Sequence, residues 1–566
     1  MATTPVKQSL NDITLLVQST KGQVPPPVIG ETSVIIDNHV YVFGGRDAQS
    51  KKLRSNMYKM DISNFYWSAL NSEESRLPTP RYFHSSTVWN NKVILFGGIG
   101  VDENDQLYVL NSLEVFDIIT ESWEAFGSVD QDPNLIPTPR YGHLVSVLGD
   151  YLFVFCGQDL ANNYIEEVGV LDLIQQKWVY LGPFRHHCGI YRANVLENVT
   201  KAMQTNLRAA PPIVPSDETF IGTIAVYSNH NFANVRRMLF VMDVTRTQNG
   251  EFTIREQDYS EMLKGASMPP GLRFPVVYSA GCNIVIAGVF LTSSKQAFVF
   301  WAFSTETKQW KHVDIQGVLN LGAWFRSVHL PDTNQILTFG NMEGNLVEAY
   351  NSRESSYVHA VTVELEAYGI YPKPLDAFSK QGREIGELML SGPSDMEILT
   401  LERLHVPCLS KVLTKRWACF KGVLETCANN NQNEFRLKLT NFGSQVTDLP
   451  FSTIQNTGSR VLYMPYTFDT CSAFVYYLYC GCIKPEYRTV SILCTLLLLC
   501  VSSHGLEHLK KHVTHHLHEL MTAKNVGQIY ETAALTGEKG LQLRALRLMI
   551  SLNHRRRTSF NAAQTS

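Results

Sequence analysis

Short apolar runs, each closed by a glycine or a polar turn, recur through the first two thirds of the chain. Val40-Tyr-Val-Phe-Gly-Gly45 is followed by Asp61 and Trp67, Val93-Ile-Leu-Phe-Gly-Gly98 by Asp117 and Trp123, and Leu152-Phe-Val-Phe-Cys-Gly157 by Asp172 and Trp178. Each Asp stands six residues before its Trp, and the Trp-to-Trp steps are 56 and 55. Pro80-Arg-Tyr-Phe-His84 and Pro139-Arg-Tyr-Gly-His143 lie between these runs, with 17 residues from each Arg to the last glycine of its motif. Two independent spacings that agree twice mark an internal repeat.

The second repeat parses into four strands: Ser85–Trp89, Lys92–Phe96, Ser112–Ile118 and Ser122–Phe126, with Asn90-Asn91 and Thr120-Glu121 as turns. Four short strands with a Gly-Gly mark predict a propeller blade. Gly44, Gly45, Gly97, Gly98 and Gly157 would let neighbouring strands approach where a Cβ would clash. Trp67, Trp123 and Trp178 would fill the wedge between blades. Later blades are worn. Arg273, Ala287-Gly288, Ser304 and Trp310 keep the six-residue spacing with Ser in place of Asp. Arg326, Phe339-Gly340 and Val358–Leu365 form another, and Phe220–Ser228 with Arg237–Val244 one more, carrying an insertion at Ala193–Asp217. The expectation is a six-bladed all-β propeller over residues 13–366, with Ile13–Gln18 as the outer strand that closes the last blade.

The pattern then changes. Residues 367–385 read as a linker rich in Pro and Gly, with one short helix near Glu384–Leu390. Residues 386–550 read as a small sheet followed by helices at Thr467–Tyr479, Arg488–Ser502, Leu506–Met521 and Val526–Thr536, an α+β domain. Residues 551–566 read as a basic, disordered tail.

The repeat resembles the kelch repeat, carried by the glycine pairs and by Trp67, Trp123 and Trp178. The resemblance implies a six-bladed kelch β-propeller, most often a docking platform. The C-terminal third resembles a BTB/POZ domain. It does so in Ser394-Asp395 before a strand, Val406-Pro407 before the helix Ser410–Phe420, and Phe474-Val-Tyr-Tyr-Leu-Tyr-Cys-Gly481. The polar, Asn-rich stretch Lys421–Ser459 departs from that family near where many members contact a cullin. A leading propeller is similar in order to the fungal kelch proteins acting on Ras signalling, mating and sporulation, and to the leucine-zipper-like kelch–BTB adaptor of a cullin ligase. The resemblance implies a non-enzymatic, cytoplasmic scaffold. Its propeller would bind a client, such as a Ras-type GTPase or its regulators, and residues 386–550 would dimerise or recruit. A cullin-3 substrate adaptor is the alternative, and a metal-dependent kelch enzyme a second one.

The charge balance, 49 Lys and Arg against 52 Asp and Glu in 566 residues, argues against nucleic-acid binding over a broad basic surface. The longest apolar run, Val490–Val501, is too short for a bilayer, which needs about 20 residues, and reads as a buried helix. Eight of the 11 Cys lie between Cys408 and Cys500 without a regular framework, which suits free cytosolic thiols. Some kelch folds are copper oxidases, and Cys188 lies near His186, His187 and Tyr191. Arg185 falls in register with the Arg-x-x-His that opens a blade, however, so a repeat position accounts for that cluster. His504, His508, His512 and His516 follow i, i+4 steps with His515 and His518 nearby, a spacing able to chelate zinc. The reading favours a solvated, His-rich helix face, and no metal, cofactor or catalytic residue is assigned. Arg46 and Arg54 in a basic loop of blade one, and Asp102, Glu103 and Asp105 in the matching acidic loop of blade two, are candidate partner contacts. Arg555-Arg-Arg-Thr-Ser-Phe560 resembles a basophilic kinase acceptor, with Thr558 or Ser559 as the phosphorylated residue.

Overall fold

The computed structural model describes residues 14–564 apart from 71–76, 125, 128–130, 197–198, 200, 209–213, 231–234, 316, 421–433 and 437–459. The chain forms two compact units, Met1–Leu365 and Glu366–Ser566.

In the first unit each repeat becomes one sheet of antiparallel strands, to which blade 1 adds a two-residue strand, Lys21–Gly22, parallel to its Tyr66–Leu70 edge. The strands are Thr32–Ile36, His39–Phe43, Met57–Asp61 and Tyr66–Leu70 in blade 1, and Ser85–Trp89, Lys92–Phe96, Leu113–Asp117 and Ser122–Glu124 in blade 2. Blade 3 runs Leu144–Leu148, Tyr151–Phe155, Glu167–Asp172 and Lys177–Pro183. Blade 4 runs Ala193–Leu196, Glu218–His230, Arg236–Thr247 and Phe252–Asp258, and blade 5 Arg273–Ala280, Asn283–Leu291, Gln296–Ser304 and Gln309–Val313. Blade 6 uses Ala323–Leu330, Gln335–Asn341 and His359–Glu364. Its fourth strand is Leu15–Ser19, antiparallel to His359–Glu364 with Leu15 opposite Val363 and Ser19 opposite His359. The inner strands touch in cyclic order, and that of blade 6 touches that of blade 1. Pairing the chain start with the last blade leaves no open edge at the seam.

The recurring Asp and Trp have separate causes. Asp117 Oδ1 accepts the backbone N–H groups of Ile119 and Thr120 at 2.8 and 3.1 Å, and Asp172 Oδ1 accepts those of Ile174 and Gln175 at 3.0 and 2.9 Å. The carboxylate shapes the turn between third and fourth strands. Ser304 does the same in blade 5, where its Oγ accepts Thr307 N–H at 3.2 Å. That turn sets the Trp to face the preceding blade. Trp67 packs on Phe339 and Tyr357, Trp123 on Phe43, and Trp178 on Phe96. Trp310 joins a buried cluster with Leu239 and Val241 of blade 4.

Blade 4 corrects one expectation. Ala193–Asp217 is more than an insertion, because Ala193–Leu196 is the inner strand. Helix α1, Lys201–Leu207, follows it and buries Met203 and Leu207 in the core shared with blade 5. Four residues are too few for a periodic signal. Helix α2, Leu346–Ser352, lies in the loop after the second strand of blade 6.

The second unit begins with a 3-10 turn at Glu366–Tyr368, whose Ala367 and Tyr368 are buried together with Ile370, so part of the expected linker is core. Helix α3 spans Lys380–Leu390. The hairpin Met396–Leu399 with His405–Cys408 precedes helix α4, Ser410–Arg416, and Arg460–Tyr463 lies parallel to Met396–Leu399. Helices α5 to α9 follow at Phe468–Cys480, Val490–Ser502, Glu507–Leu520, Val526–Thr536 and Lys539–Gln564. Thr467 and Thr489 cap α5 and α6, and Gly481 ends α5 at φ 69°. Trp417, Phe420, Phe474, Leu478, Leu496, Leu497 and Leu509 form one continuous core. The expected tail differs too: α9 runs through 551–564, where neither Gly nor Pro interrupts it. No described helix is long and apolar enough to cross a membrane.

Candidate interaction surface

Strands alternate in direction, so the approach to each first strand and the loop after each second strand lie at one face of the ring. Backbone hydrogen bonds fix that face around the axis. Phe83 N–H donates to Gly30 O at 2.6 Å, Gly142 to Phe83 at 2.9 Å, Ile190 to Gly142 at 2.9 Å, and Phe274 to Tyr191 at 3.3 Å. The repeated Arg locks the neighbouring loop. Arg81 donates to the carbonyls of Gly97 and Ser112 and to Glu114, and Arg140 to the carbonyl of Cys156 and to Glu167. In blade 6, Arg326 Nε and the Tyr357 hydroxyl both donate to Glu31 Oε1, at 2.7 and 3.1 Å. The repeated His is packing. His84 and His143 are fully buried, lie edge-on to Phe43 and Phe96, and are held neutral because burial pushes their pKa well down. The glycine pairs exist for this contact. A Cβ on Gly97 would stand 2.6 Å from Arg140 O, and one on Gly98 2.8 Å from His84 Cβ.

A connected aromatic belt rims the axis on this face. Phe83 lies 4.9 Å from Tyr82, 6.3 Å from Tyr141 and 5.8 Å from Tyr191, and Phe274 lies 5.4 Å from Tyr191 and 5.1 Å from Phe325. The exposed Arg353, in left-handed conformation at φ 57°, sits over Phe83 and Tyr191 at 5.8 and 5.2 Å. Arg46 stacks over Tyr82 at 5.3 Å with its Nε unpartnered. Aromatic faces topped by guanidinium groups attract anionic and planar groups together.

The predicted loops divide. Arg46 belongs to this surface. Arg54 turns into its own loop, where its guanidinium pairs with Asp47. Asp102 closes a turn by accepting Asn104 and Gln106 N–H, each at 2.8 Å. Asp102, Glu103 and Asp105 are exposed at the tip of the hairpin Ile99–Val101 with Leu107–Val109. The His186, His187, Cys188 and Tyr191 group, set aside above as a metal site, does not converge. His186 faces Glu256 at 2.7 Å, His187 faces Glu166 at 2.7 Å and stacks on Tyr164, and Cys188 is buried beside Cys156. The register differs as well. Gly157 N–H donates to Cys188 O, as Gly98 does to Arg140 O, so Cys188 rather than Arg185 stands at the repeat's Arg position.

In the second unit the His-rich face of α7 is buried, not solvated. His508 and His512 donate from Nε2 to the Leu375 carbonyl at 2.8 and 3.1 Å, and His515 from Nδ1 to the Pro372 carbonyl at 3.0 Å. Arg544 donates to His518 Nδ1 at 2.9 Å, so His518 Nε2 carries the proton towards Glu366 at 3.2 Å. Burial lowers the pKa of His512, His515, His516 and His518. His504 lies outside the helix and is exposed. The row therefore clamps segment 371–376 onto α7.

Residues 8–188 match the KLHDC2/KLHL20/DRC7 kelch-repeats domain. Protein ral2 of Schizosaccharomyces pombe is 43% identical over 96% of this chain and 95% of its own length. The chain belongs to the ral2 family. The negative regulator of sporulation MDS3 of Candida albicans is 24% identical over 51% of this chain and 24% of its own length. Tip elongation aberrant protein 1 of S. pombe is 33% identical over 25% of this chain and 12% of its own length.

The likeness to ral2 runs through both units, whereas the kelch match ends at the third blade. In this ral2-family chain Tyr82, Phe83 and Tyr141 stood inside the Pro-Arg-Tyr motifs and Tyr191 beside Cys188, but the sequence marked none of them as a shared surface, and Phe274 and Arg353 lie in no motif; only ring closure brings these residues together. Thr558 and Ser559 fall on α9, and their side chains lie outside the described residues. The stretch Lys421–Ser459, noted for the cullin contact, lies outside them too, except Glu434–Arg436.

Proposed function

We propose that this chain is a non-enzymatic, cytoplasmic scaffold whose propeller takes a protein client on the aromatic, arginine-topped face. The pathway proposed is Ras-type small-GTPase signalling that controls mating, sporulation or morphology. The observation that carries the reading is the end-to-end likeness to ral2, together with a propeller face whose buried polar residues serve packing and not chemistry. The Ras direction draws on the resemblance in domain order and on relatives named for sporulation and tip elongation. The test presents the purified full chain with Ras-type GTPases, in the GDP-bound and GTP-analogue-bound states, and with their exchange factors. Binding that is lost in Arg353→Glu and Phe83→Ala with the melting temperature unchanged supports the reading. Equal binding by both variants, or no binding of any of these partners, overturns it.

The second unit is proposed to be BTB/POZ-like and to self-associate. A hairpin, a short helix, a parallel strand, an apolar helix ending at Gly481 and a helical pair follow the order of that family. On α3 the apolar Ile385, Leu388 and Met389 stand at i, i+3 and i+4 and are 57%, 74% and 42% exposed. Gly386 of the same helix packs on the carbonyl of Tyr479. Light scattering of the full chain tests this: a dimer that Leu388→Asp converts to monomer supports it, and a monomer at all concentrations overturns it.

A further inference from the structure

On α7, three side chains turn towards one point at the edge of the buried histidine row. His515 Nε2 lies 3.3 Å from Glu519 Oε1, and His516 Nδ1 lies 2.7 Å from Glu519 Oε2. One donor atom from each of the three residues falls within 4.8 Å of the others. The His515 and His516 side chains are 9% and 10% exposed, while the Glu519 side chain is 45% exposed. The cluster therefore has a rigid, buried nitrogen side and a carboxylate side open to solvent.

A second observation concerns the proton on His515. A backbone carbonyl only accepts, so the 3.0 Å contact to Pro372 O requires the hydrogen on Nδ1. In the neutral ring Nε2 then presents a lone pair to a carboxylate oxygen. Two electron pairs facing each other at this distance repel, and a cation between them removes the repulsion. A carbonyl bound to the far nitrogen is also the usual outer-sphere arrangement that orients a metal-ligating imidazole.

We propose that His515, His516 and Glu519 bind a divalent transition-metal ion, zinc by the chemistry of the donors. Two imidazole nitrogens and one carboxylate with a solvent-facing fourth position match a three-ligand zinc site; His516 Nδ1, which now donates to Glu519 Oε2 at 2.7 Å, becomes a ligand when zinc displaces that proton and the neutral ring keeps its hydrogen on Nε2. Zinc–ligand bonds of about 2.0–2.2 Å require donors roughly 3.3–3.5 Å apart, so the cluster must tighten by about an ångström. Lys373 and Arg488 lie near enough to oppose a cation electrostatically. The ion would hold segment 371–375 on α7 through the His515–Pro372 bond, coupling metal to local order. The i, i+4 row of the sequence reading is not the ligand set: His508 is bonded at both ring nitrogens, to the Leu375 carbonyl and the Tyr477 hydroxyl, and among the described residues the donors that converge are those of His515, His516 and Glu519.

The experiment uses untagged full-length chain, stripped with a chelator and titrated calorimetrically with zinc, with the bound metal measured after gel filtration. One zinc per chain, with a higher melting temperature in the metal-bound form, is expected. Glu519→Gln, a near-isosteric change at a solvent-facing position, should weaken binding at least about 100-fold, since loss of outer-sphere partners alone costs about 10–100-fold. His504→Gln, outside the cluster, should leave binding unchanged. Circular dichroism of each variant separates ligand loss from misfolding, and Glu519→Asp provides a second variant that retains a carboxylate and partial affinity. No saturable zinc at micromolar concentrations, or binding indifferent to Glu519→Gln, overturns the site and leaves His515 and Glu519 as a proton-linked pair.

Discussion

The two units bury polar side chains for different ends. In the propeller, burial is repetitive: Arg81 and Arg140 cross-link a loop, His84 and His143 pack on the preceding blade, and the same Gly-Gly receives them. Each device is confined to two adjacent blades. In the second unit burial is singular. The α7 histidines, Glu366 and Arg544 meet once, and each hydrogen bond crosses from one helix to a distant segment. The contrast teaches that a repeated motif distributes its energy over many equivalent joints, whereas a single cluster concentrates both stability and pH sensitivity at one place.

The largest effect is expected where the repetition closes on itself. Deleting residues 1–20 removes the partner of His359–Glu364 and exposes a strand edge. Size-exclusion chromatography should show association or insoluble protein, and an unchanged monomeric, heat-resistant product would show that closure does not depend on this strand. Next comes Trp67→Ala. Trp67 is fully buried between blades 6 and 1, and its truncation should cost about 3–5 kcal/mol in chemical denaturation. Trp178, only partly buried, should cost less on the same scale. Equal losses at the two positions would break the picture of inter-blade wedging.

Gly97→Ala and Gly149→Ala separate conformation from contact. Both glycines have positive φ, at 63° and 61°, but a Cβ on Gly149 meets nothing within 4 Å, while on Gly97 it meets Arg140 O at 2.6 Å. Left-handed strain alone should cost about 1–2 kcal/mol; adding steric overpacking of about 1–3 kcal/mol brings Gly97→Ala to roughly 2–5 kcal/mol. Identical melting temperatures for the two variants would remove the inter-blade role of the glycine pair.

The smallest effect is confined to the single cluster and depends on pH. Burial, with the Glu538 carboxylate nearby, pushes Glu366 up from 4.5 to about 7, while Arg544 partly opposes the shift. Between these values the folded chain keeps a proton that the unfolded chain has released. The resulting stability is full below about pH 4.5 and is lost as pH rises through 7. A shift of that size is worth up to roughly 3 kcal/mol, so Glu366→Gln should gain on the parent chain between pH 5 and pH 8. A melting difference that does not change with pH would show that Glu366 is ionised throughout.

Legibility tracked repetition. The Gly-Gly pairs, the Asp–Trp spacing and the Arg-x-x-His starts were readable because one physical contact was written several times. Blade 4 was blurred because its inner strand is four residues long and followed by α1. Arg185 was set in register by residue type, whereas the backbone places Cys188 there. The His-rich helix was found but given the wrong environment, since nothing local to Glu507–Leu520 announces that the segment around Pro372–Leu375 lies across it.

The amino-acid order alone determined which short strands pair with their neighbours, because adjacent strands meet through turns whose Asp, Asn and Gly residues specify them locally. It also determined that the last third holds a small sheet followed by helices. Tertiary structure alone decided the aromatic belt of Phe83, Tyr191 and Phe274 beneath Arg353, and the meeting of His515, His516 and Glu519 with Pro372. The belt joins residues from separate blades, and His515 acquires its tautomer from a carbonyl 143 positions away. Contacts at that separation are set by how the rings and helices close, and no local pattern encodes them.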